Sequence, residues 1–143
     1  MAREFERVVV DTGVLVSALI SPGGPTSLIL DALDAEDFTL IASPALLDEL
    51  TRVLHRDKFR RYVTIEEADH FVADLRERAD LHPDPASVPS VSNDPDDDYL
   101  IALARESAAD VLVSGDSDLI ELGLKELPTI RPAAFLQRLA DAE

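Results

Sequence analysis

Short runs of consecutive apolar, largely β-branched residues constrain this chain most: Arg7-Val8-Val9-Val10, Phe38-Thr39-Leu40-Ile41-Ala42 and Asp110-Val111-Leu112-Val113-Ser114. A strand that alternates apolar and polar residues keeps one face in water. A strand apolar at every position is covered on both faces, as in a parallel sheet flanked by helices. Thr129-Ile130-Arg131 is a fourth, weaker candidate strand. Helical patterns separate these runs, and strands alternating with helices imply an α/β fold with a parallel sheet. The length of 143 residues suits a single domain spanning 1–143.

The helices are marked by their ends. Val14 to Ile20 opens a helical pattern that Ser21-Pro22-Gly23-Gly24-Pro25 interrupts, and Thr26 or Ser27 can cap a second piece reaching about Ala35. Ser43-Pro44 pairs a cap residue with proline at the first helical position, before an apolar stripe of Leu46, Leu47, Leu50, Val53 and Leu54. Thr64 with Glu67 reads as a capping box ahead of Ala68, Phe71, Val72 and Leu75, in a helix ending near Ala79. His82 to Val91 is proline-rich and extended, a connection over the surface. A helix then runs from Pro95 to about Ala108, a short one covers Leu119 to Leu122, and Pro132 opens the last, with Phe135, Leu136 and Leu139 facing inward.

Acids gather where these elements meet. Asn93-Asp94-Pro95-Asp96-Asp97-Asp98 carries four carboxylates into a helix start. Capping and the helix dipole favour one or two acids there, but four repel one another, which a cation or basic partner would relieve. Asp97 falls three, four and seven residues before Leu100, Ile101 and Ala104, on the inward face, whereas Asp98 projects toward Arg105. Asp11 ends the first strand and Asp116, with Asp118, follows the last apolar one; open α/β sheets bind ligands at such carboxyl ends. Asp11 in Asp11-Thr12-Gly13 also suits a simple Asx turn. Glu49 lies within or beside its helix stripe, or keeps an exposed head at the stripe's edge. Right-handed crossovers bring parallel strand ends to one rim, so these distant acids can converge.

That cluster has no Cys in the chain to join it, no suitably placed His, and only Lys58 and Lys125 as lysines. An all-oxygen set suits a hard divalent ion such as Mg²⁺ or Mn²⁺ and disfavours Zn²⁺. Phosphodiester hydrolysis is the chemistry such a site supports best. A net charge of −16 opposes non-specific nucleic-acid binding. The exception is one basic island, Arg52, His55, Arg56, Lys58, Arg60 and Arg61, which can either favour a helix C-terminus or hold phosphates. No apolar run reaches membrane-spanning length, and the start, Met1 to Arg7, lacks the apolar centre of a signal peptide. A cytoplasmic location is the resulting expectation.

Strand-Asp11-Thr12-Gly13, Glu49 in Leu47-Asp48-Glu49-Leu50, the Asp94–Asp98 turn, and Val113-Ser114-Gly115-Asp116-Ser117-Asp118-Leu119 together resemble the PIN-domain family. The similar branch comprises toxin components of toxin–antitoxin pairs, the VapC-like ribonucleases. The resemblance implies a three-layer α/β/α sandwich with a central, mainly parallel sheet, and a Mg²⁺- or Mn²⁺-dependent endoribonuclease acting on single-stranded RNA. It assigns Asp11, Glu49, Asp97 and Asp116 as metal-binding, catalytic acids, with Asp94, Asp98 and Asp118 as supporting candidates. Asp98 could align in place of Asp97; the helix-face argument favours Asp97. Thr12, Ser114, Arg52, Arg56, Lys58, Arg60 and Arg61 would position substrate. A cognate antitoxin and a homodimer are also implied. Gly13 stands where the family usually has Asn, which allows an alternative: a PIN-like module that binds RNA or protein without turnover.

Two other readings fare worse. Asp-Thr-Gly also marks aspartic proteases, but those are all-β and use a pair of such turns, whereas one is present here. A phosphoacceptor receiver domain would need a lysine after a late buried strand, and none follows.

Overall fold

In a computed structural model, described over residues 6–142, five strands form one wholly parallel sheet. The chain runs β1 (Arg7–Val10), α1 (Thr12–Ile20), α2 (Ser27–Asp34), β2 (Thr39–Ala42), α3 (Pro44–Leu54), a 3₁₀ turn (Asp57–Phe59), α4 (Ile65–Arg78), β3 (Asp80–Leu81), α5 (Pro95–Glu106), β4 (Val111–Val113), α6 (Ser117–Ile120), β5 (Thr129–Ile130) and α7 (Pro132–Asp141). Residues 1–5, on which the expectation of no leader largely rests, lie outside the described residues. No described helix is long and apolar enough to cross a membrane.

Strand order is β3-β2-β1-β4-β5. Val9 of β1 is aligned with Ile41 of β2 on one side and Leu112 of β4 on the other. Val8, Val9, Val10 and all of β4 have no solvent exposure, as continuous apolar runs require of strands covered on both faces. The chain steps outward from β1 to β2 and β3, then returns to add β4 and β5 beyond β1. With right-handed crossovers, that reversal puts helices on both faces and makes the β1/β4 boundary a topological switch point. The α/β sandwich expected from the sequence is therefore present.

Packing follows the stripes. Leu46, Leu47, Leu50 and Leu54 of α3, and Ala68, Val72 and Leu75 of α4, are buried. Each fully buried leucine contributes about 2–3 kcal/mol of burial free energy before entropy is counted. Phe135 of α7 meets Phe38 edge-on, ring centroids 5.1 Å apart and planes at 89°. Thr64 Oγ1 accepts from the Glu67 amide and the Glu67 carboxylate accepts from the Thr64 amide, both at 3.0 Å, completing the capping box.

The structure corrects the sequence reading in places. Asp80–Leu81 is a fifth strand, paired with Ile41 and Ala42, between the helix expected to end near Ala79 and the connection expected from His82, where no element was expected. Both its residues are exposed, so no apolar run marks it. Helix α5 stops at Glu106 rather than near Ala108, whose φ of 57° is left-handed. The first helix begins earlier than Val14, at Thr12, because Asp11 itself is its cap.

Candidate active site at the carboxyl edge of the sheet

Three acids nominated from sequence each cap a helix that starts on this rim. The Asp11 carboxylate accepts from the Gly13 amide at 3.2 Å, Asp94 from the Asp96 amide at 2.9 Å, and Asp116 from the Asp118 amide at 2.9 Å. Capping and convergence are thus one arrangement. The helix starts supply backbone donors and favourable dipole ends to carboxylates that would otherwise only repel.

Strand pairing sets the spacing of the central pair. The Asp11 amide donates to the Val113 carbonyl at 2.9 Å, continuing the β1–β4 ladder one step past the strands. Beside it Ser114, fully buried, donates from Oγ to Asp11 Oδ2 at 2.8 Å and accepts from the Asp116 amide at 3.0 Å. One hydroxyl therefore holds both acids at the switch point. Arg131 steadies the same turn from outside, donating to the Gly115 carbonyl at 3.0 Å and to Ser117 Oγ at 2.7 Å. The sequence reading missed Arg131; nothing marks a lone arginine at a helix start as a brace.

Asp97 and Asp98 are equally buried, each 7% exposed, so burial does not separate them; Asp98 shares a hollow with Arg105, the direction expected from the helix face. Their partners differ completely. Asp97 is pushed up to about 6, first by burial, then by the charges of Asp116, Asp94 and Asp11, with a hydrogen bond to Asp116 adding to the rise. Asp98 is held below the usual carboxylate range, because its Oδ1 accepts from the Val91 amide (3.0 Å), the Ser92 amide (2.7 Å) and the Ser92 hydroxyl (2.8 Å). It ties the proline-rich connection to α5 and faces away from the other acids. One hollow on the rim is lined by Asn93, Asp94, Asp97, Asp116, Asp118 and Glu121.

Glu49 occupies the other side of Asp11. Thr12 Oγ1, buried, donates to Glu49 Oε2 at 3.4 Å. The Glu49 carboxyl is raised by burial and then by Asp96, with Thr12 and Arg52 opposing and Asp11 adding a smaller rise. Asp96, nominated for no site role from sequence, shares a second hollow with Glu49, Arg52, Val88 and Tyr99. Tyr99 meets Ser43 Oγ at 2.5 Å and donates to Asp84 Oδ1 at 2.7 Å, and Asp84 accepts from the Ala45 amide at 2.9 Å. This cluster fastens α5 to the start of α3. Burial first, and the neighbouring carboxylates after it, push the Tyr99 phenol up to about 12.

The acids thus form two lobes, Asp94, Asp97 and Asp116 in one, Glu49 and Asp96 in the other, with Asp11 reaching both. Their oxygen-only chemistry and the disfavoured second charge at Asp97 suit a hard divalent cation. Their spacing is more open than a finished cage: among the described residues, no group of three or more His, Cys, Asp or Glu stands ready to hold a metal ion.

The basic island divides as well. Arg60 turns inward and donates to the Leu54 and Arg56 carbonyls, capping the C-terminus of α3. Arg52, Arg56, Lys58 and Arg61 are exposed.

Comparison with known proteins places this geometry. A profile for the PIN domain matches residues 7–118. An uncharacterized protein of Methanocaldococcus jannaschii is 34% identical over 116 residues, covering 81% of this chain and 74% of its own. PAE2754 from Pyrobaculum aerophilum shares the fold with a TM-score of 0.66 at 17% identity, over 96% of this chain and 90% of the other. VapBC2 from Rickettsia felis, solved bound to a promoter DNA fragment, aligns with a TM-score of 0.59 at 14% identity, over 87% and 98%. FitAcB from Neisseria gonorrhoeae aligns with 0.57 at 16% identity, over 87% and 97%.

Proposed function

The chain belongs to the PIN domain family, and from that premise we propose that it is a divalent-metal-dependent endoribonuclease cutting single-stranded RNA. The single observation that carries this reading is the Asp97–Asp116 carboxyl pair beside Asp11 at the switch point, where burial and like charge make a full set of ionised groups costly without a cation. Asp11, Asp97 and Asp116 would hold Mg²⁺ or Mn²⁺, with Glu49 and Asp94 completing the set. When bound, such an ion lowers the pKa of water and stabilises charge developing on the phosphate.

The remaining chemistry belongs to the chain. Ser114 fixes the separation of Asp11 and Asp116, and Thr12 orients Glu49. Arg52, which lines one hollow with Glu49, would meet a phosphate on the flank of the rim. Bound cations would reverse the local sign of a strongly acidic surface, which reconciles a net charge of −16 with a polyanionic substrate.

The fold shared with the Rickettsia VapBC2 and Neisseria FitAcB structures supports a toxin role within a toxin–antitoxin pair; a homodimer acting in the cytoplasm is the form we infer for it. Its antitoxin would block the acidic rim with a basic segment. The test is cleavage of single-stranded RNA by purified protein with Mg²⁺ or Mn²⁺; Asp11→Asn cutting as fast as wild type would sink the catalytic assignment.

A second reading has an observation of its own. Gly13 sits on the rim, and a side-chain carbon added to it would meet nothing within 4 Å, so the amide usual in the family has room and is missing. A PIN-like module that binds RNA or protein without turnover would show tight binding and no metal-dependent cleavage, and Gly13→Asn would then restore cutting.

A further inference from the structure

We propose that the tip of the α3–α4 hairpin seats one unstacked base of a single-stranded nucleic acid and its flanking phosphates, with Tyr62 as the stacking platform. This rests on the phosphodiesterase reading and adds to it a substrate-positioning residue. Helices α3 and α4 pack against each other, and the 3₁₀ turn joins them. Phe59, 9% exposed, pins that turn to the core, while Tyr62 three residues later is 53% exposed. Tyr62 carries the only exposed Phe or Tyr ring among the described residues. An aromatic ring costs free energy to leave in water, and the core beside it has already taken Phe59 and Val63.

Cations cluster around the ring. His55 pairs with Asp69 at 2.6 Å, and Arg60 caps α3. Arg56, Lys58 and Arg61 make no ion pair among the described residues, a condition they share with most of the chain's arginines and lysines; what distinguishes them is that they cluster around one exposed ring. Two of them stand instead beside aromatic faces: the Arg61 guanidinium lies 5.4 Å from the Tyr62 ring centroid, and the Lys58 ammonium 5.1 Å from that of Phe59. Cations next to an exposed flat ring match a polyanion that also presents flat faces. An acidic peptide would use the cations and leave the ring idle.

Position agrees with this. Glu49 and the basic tip belong to one element and its end: Leu54 closes α3 five residues beyond Glu49, about 8 Å of helical rise, and the basic residues follow directly. A duplex keeps its base faces stacked, so the seat discriminates for single strands.

The test measures binding without turnover. A fluorescein-labelled single-stranded oligoribonucleotide of about twelve nucleotides is titrated in Mg²⁺ against full-length protein carrying Asp116→Asn. Adding Tyr62→Ala should weaken binding about tenfold, and Tyr62→Trp should restore it. Arg61→Gln and Lys58→Gln should each lower the slope of affinity against salt by about one. A duplex of the same sequence should bind weakly and ignore Tyr62. Binding of Tyr62→Ala within about twofold of its parent, or poly-glutamate competing as well as the oligonucleotide, would overturn the seat. Wild-type cleavage run in parallel separates the two ideas. Cutting with Tyr62-independent binding removes only the seat; Tyr62-dependent binding without cutting removes only the nuclease.

Discussion

Replacing Asp97 with Asn should make the metal-free protein more stable at neutral pH, although it removes a proposed metal ligand. The Asp97 carboxyl ionises near 6 in the fold against an ordinary 3.8, because burial and the charges of Asp116, Asp94 and Asp11 disfavour its anion. A folded value above the unfolded one means the native state binds the extra proton. Stability is then fully present below about 3.8 and is lost as pH rises through about 6. The rise of about two on the pH scale corresponds to about 3 kcal/mol if nothing screens the charges. The rim is open to water, so screening reduces this to about 1 kcal/mol. Asn keeps a donor toward Asp116 and sheds the charge. For a chain of this length, about 1 kcal/mol moves Tm by roughly 3 °C. Thermal unfolding in EDTA at pH 7.5 should therefore show Asp97→Asn melting a few degrees above wild type, the gap closing near pH 4. Excess Mg²⁺ should reverse the order, because a ligand stabilises the form that binds it. A variant that melts lower in EDTA at pH 7.5, or a gap that persists unchanged at acid pH, would refute the reasoning.

Other perturbations follow from single geometries. Ala108 holds a left-handed φ of 57°, so Ala108→Gly should gain about 1 kcal/mol, read as a higher urea midpoint with an unchanged slope. Gly13 lies in the first turn of α1 with open space around it, so Gly13→Ala should raise stability by about 0.5–1 kcal/mol in thermal melts. Arg131→Met should leave Tm within a few degrees yet lower kcat about tenfold, because the Gly115–Ser117 turn loses two donors and Asp116 drifts. Ser114→Ala should cost more in both respects: it buries an Asp11 oxygen and an Asp116 amide without their shared partner, at about 1–3 kcal/mol.

What the sequence made legible, and what it hid, divides by the kind of force involved. Val8–Val10 and Val111–Val113 announce two-sided burial through composition alone, and connection rules then bring Asp11 and Asp116 to one rim before any contact is known. Asp80–Leu81 stays silent because an edge strand of two exposed residues is held by backbone pairing with Ile41 and Ala42, which no side-chain pattern encodes. Asp98 shows the same limit more sharply. Helical periodicity fixes the direction its Cβ leaves α5, toward Arg105, but not what folds over it; the Val91–Ser92 segment supplies three donors and makes Asp98 a buried anchor rather than a supporting site acid. Arg60 likewise reads as one of a run of cations, until the open carbonyls at the end of α3 claim it. In each case a main-chain group that side-chain periodicity does not register decides the outcome. Asp11, Asp94 and Asp116 were readable because their own backbone contacts are local caps two residues away. The tertiary step that matters for them, one buried serine hydroxyl between Asp11 and Asp116, is what sets whether those caps also become a site.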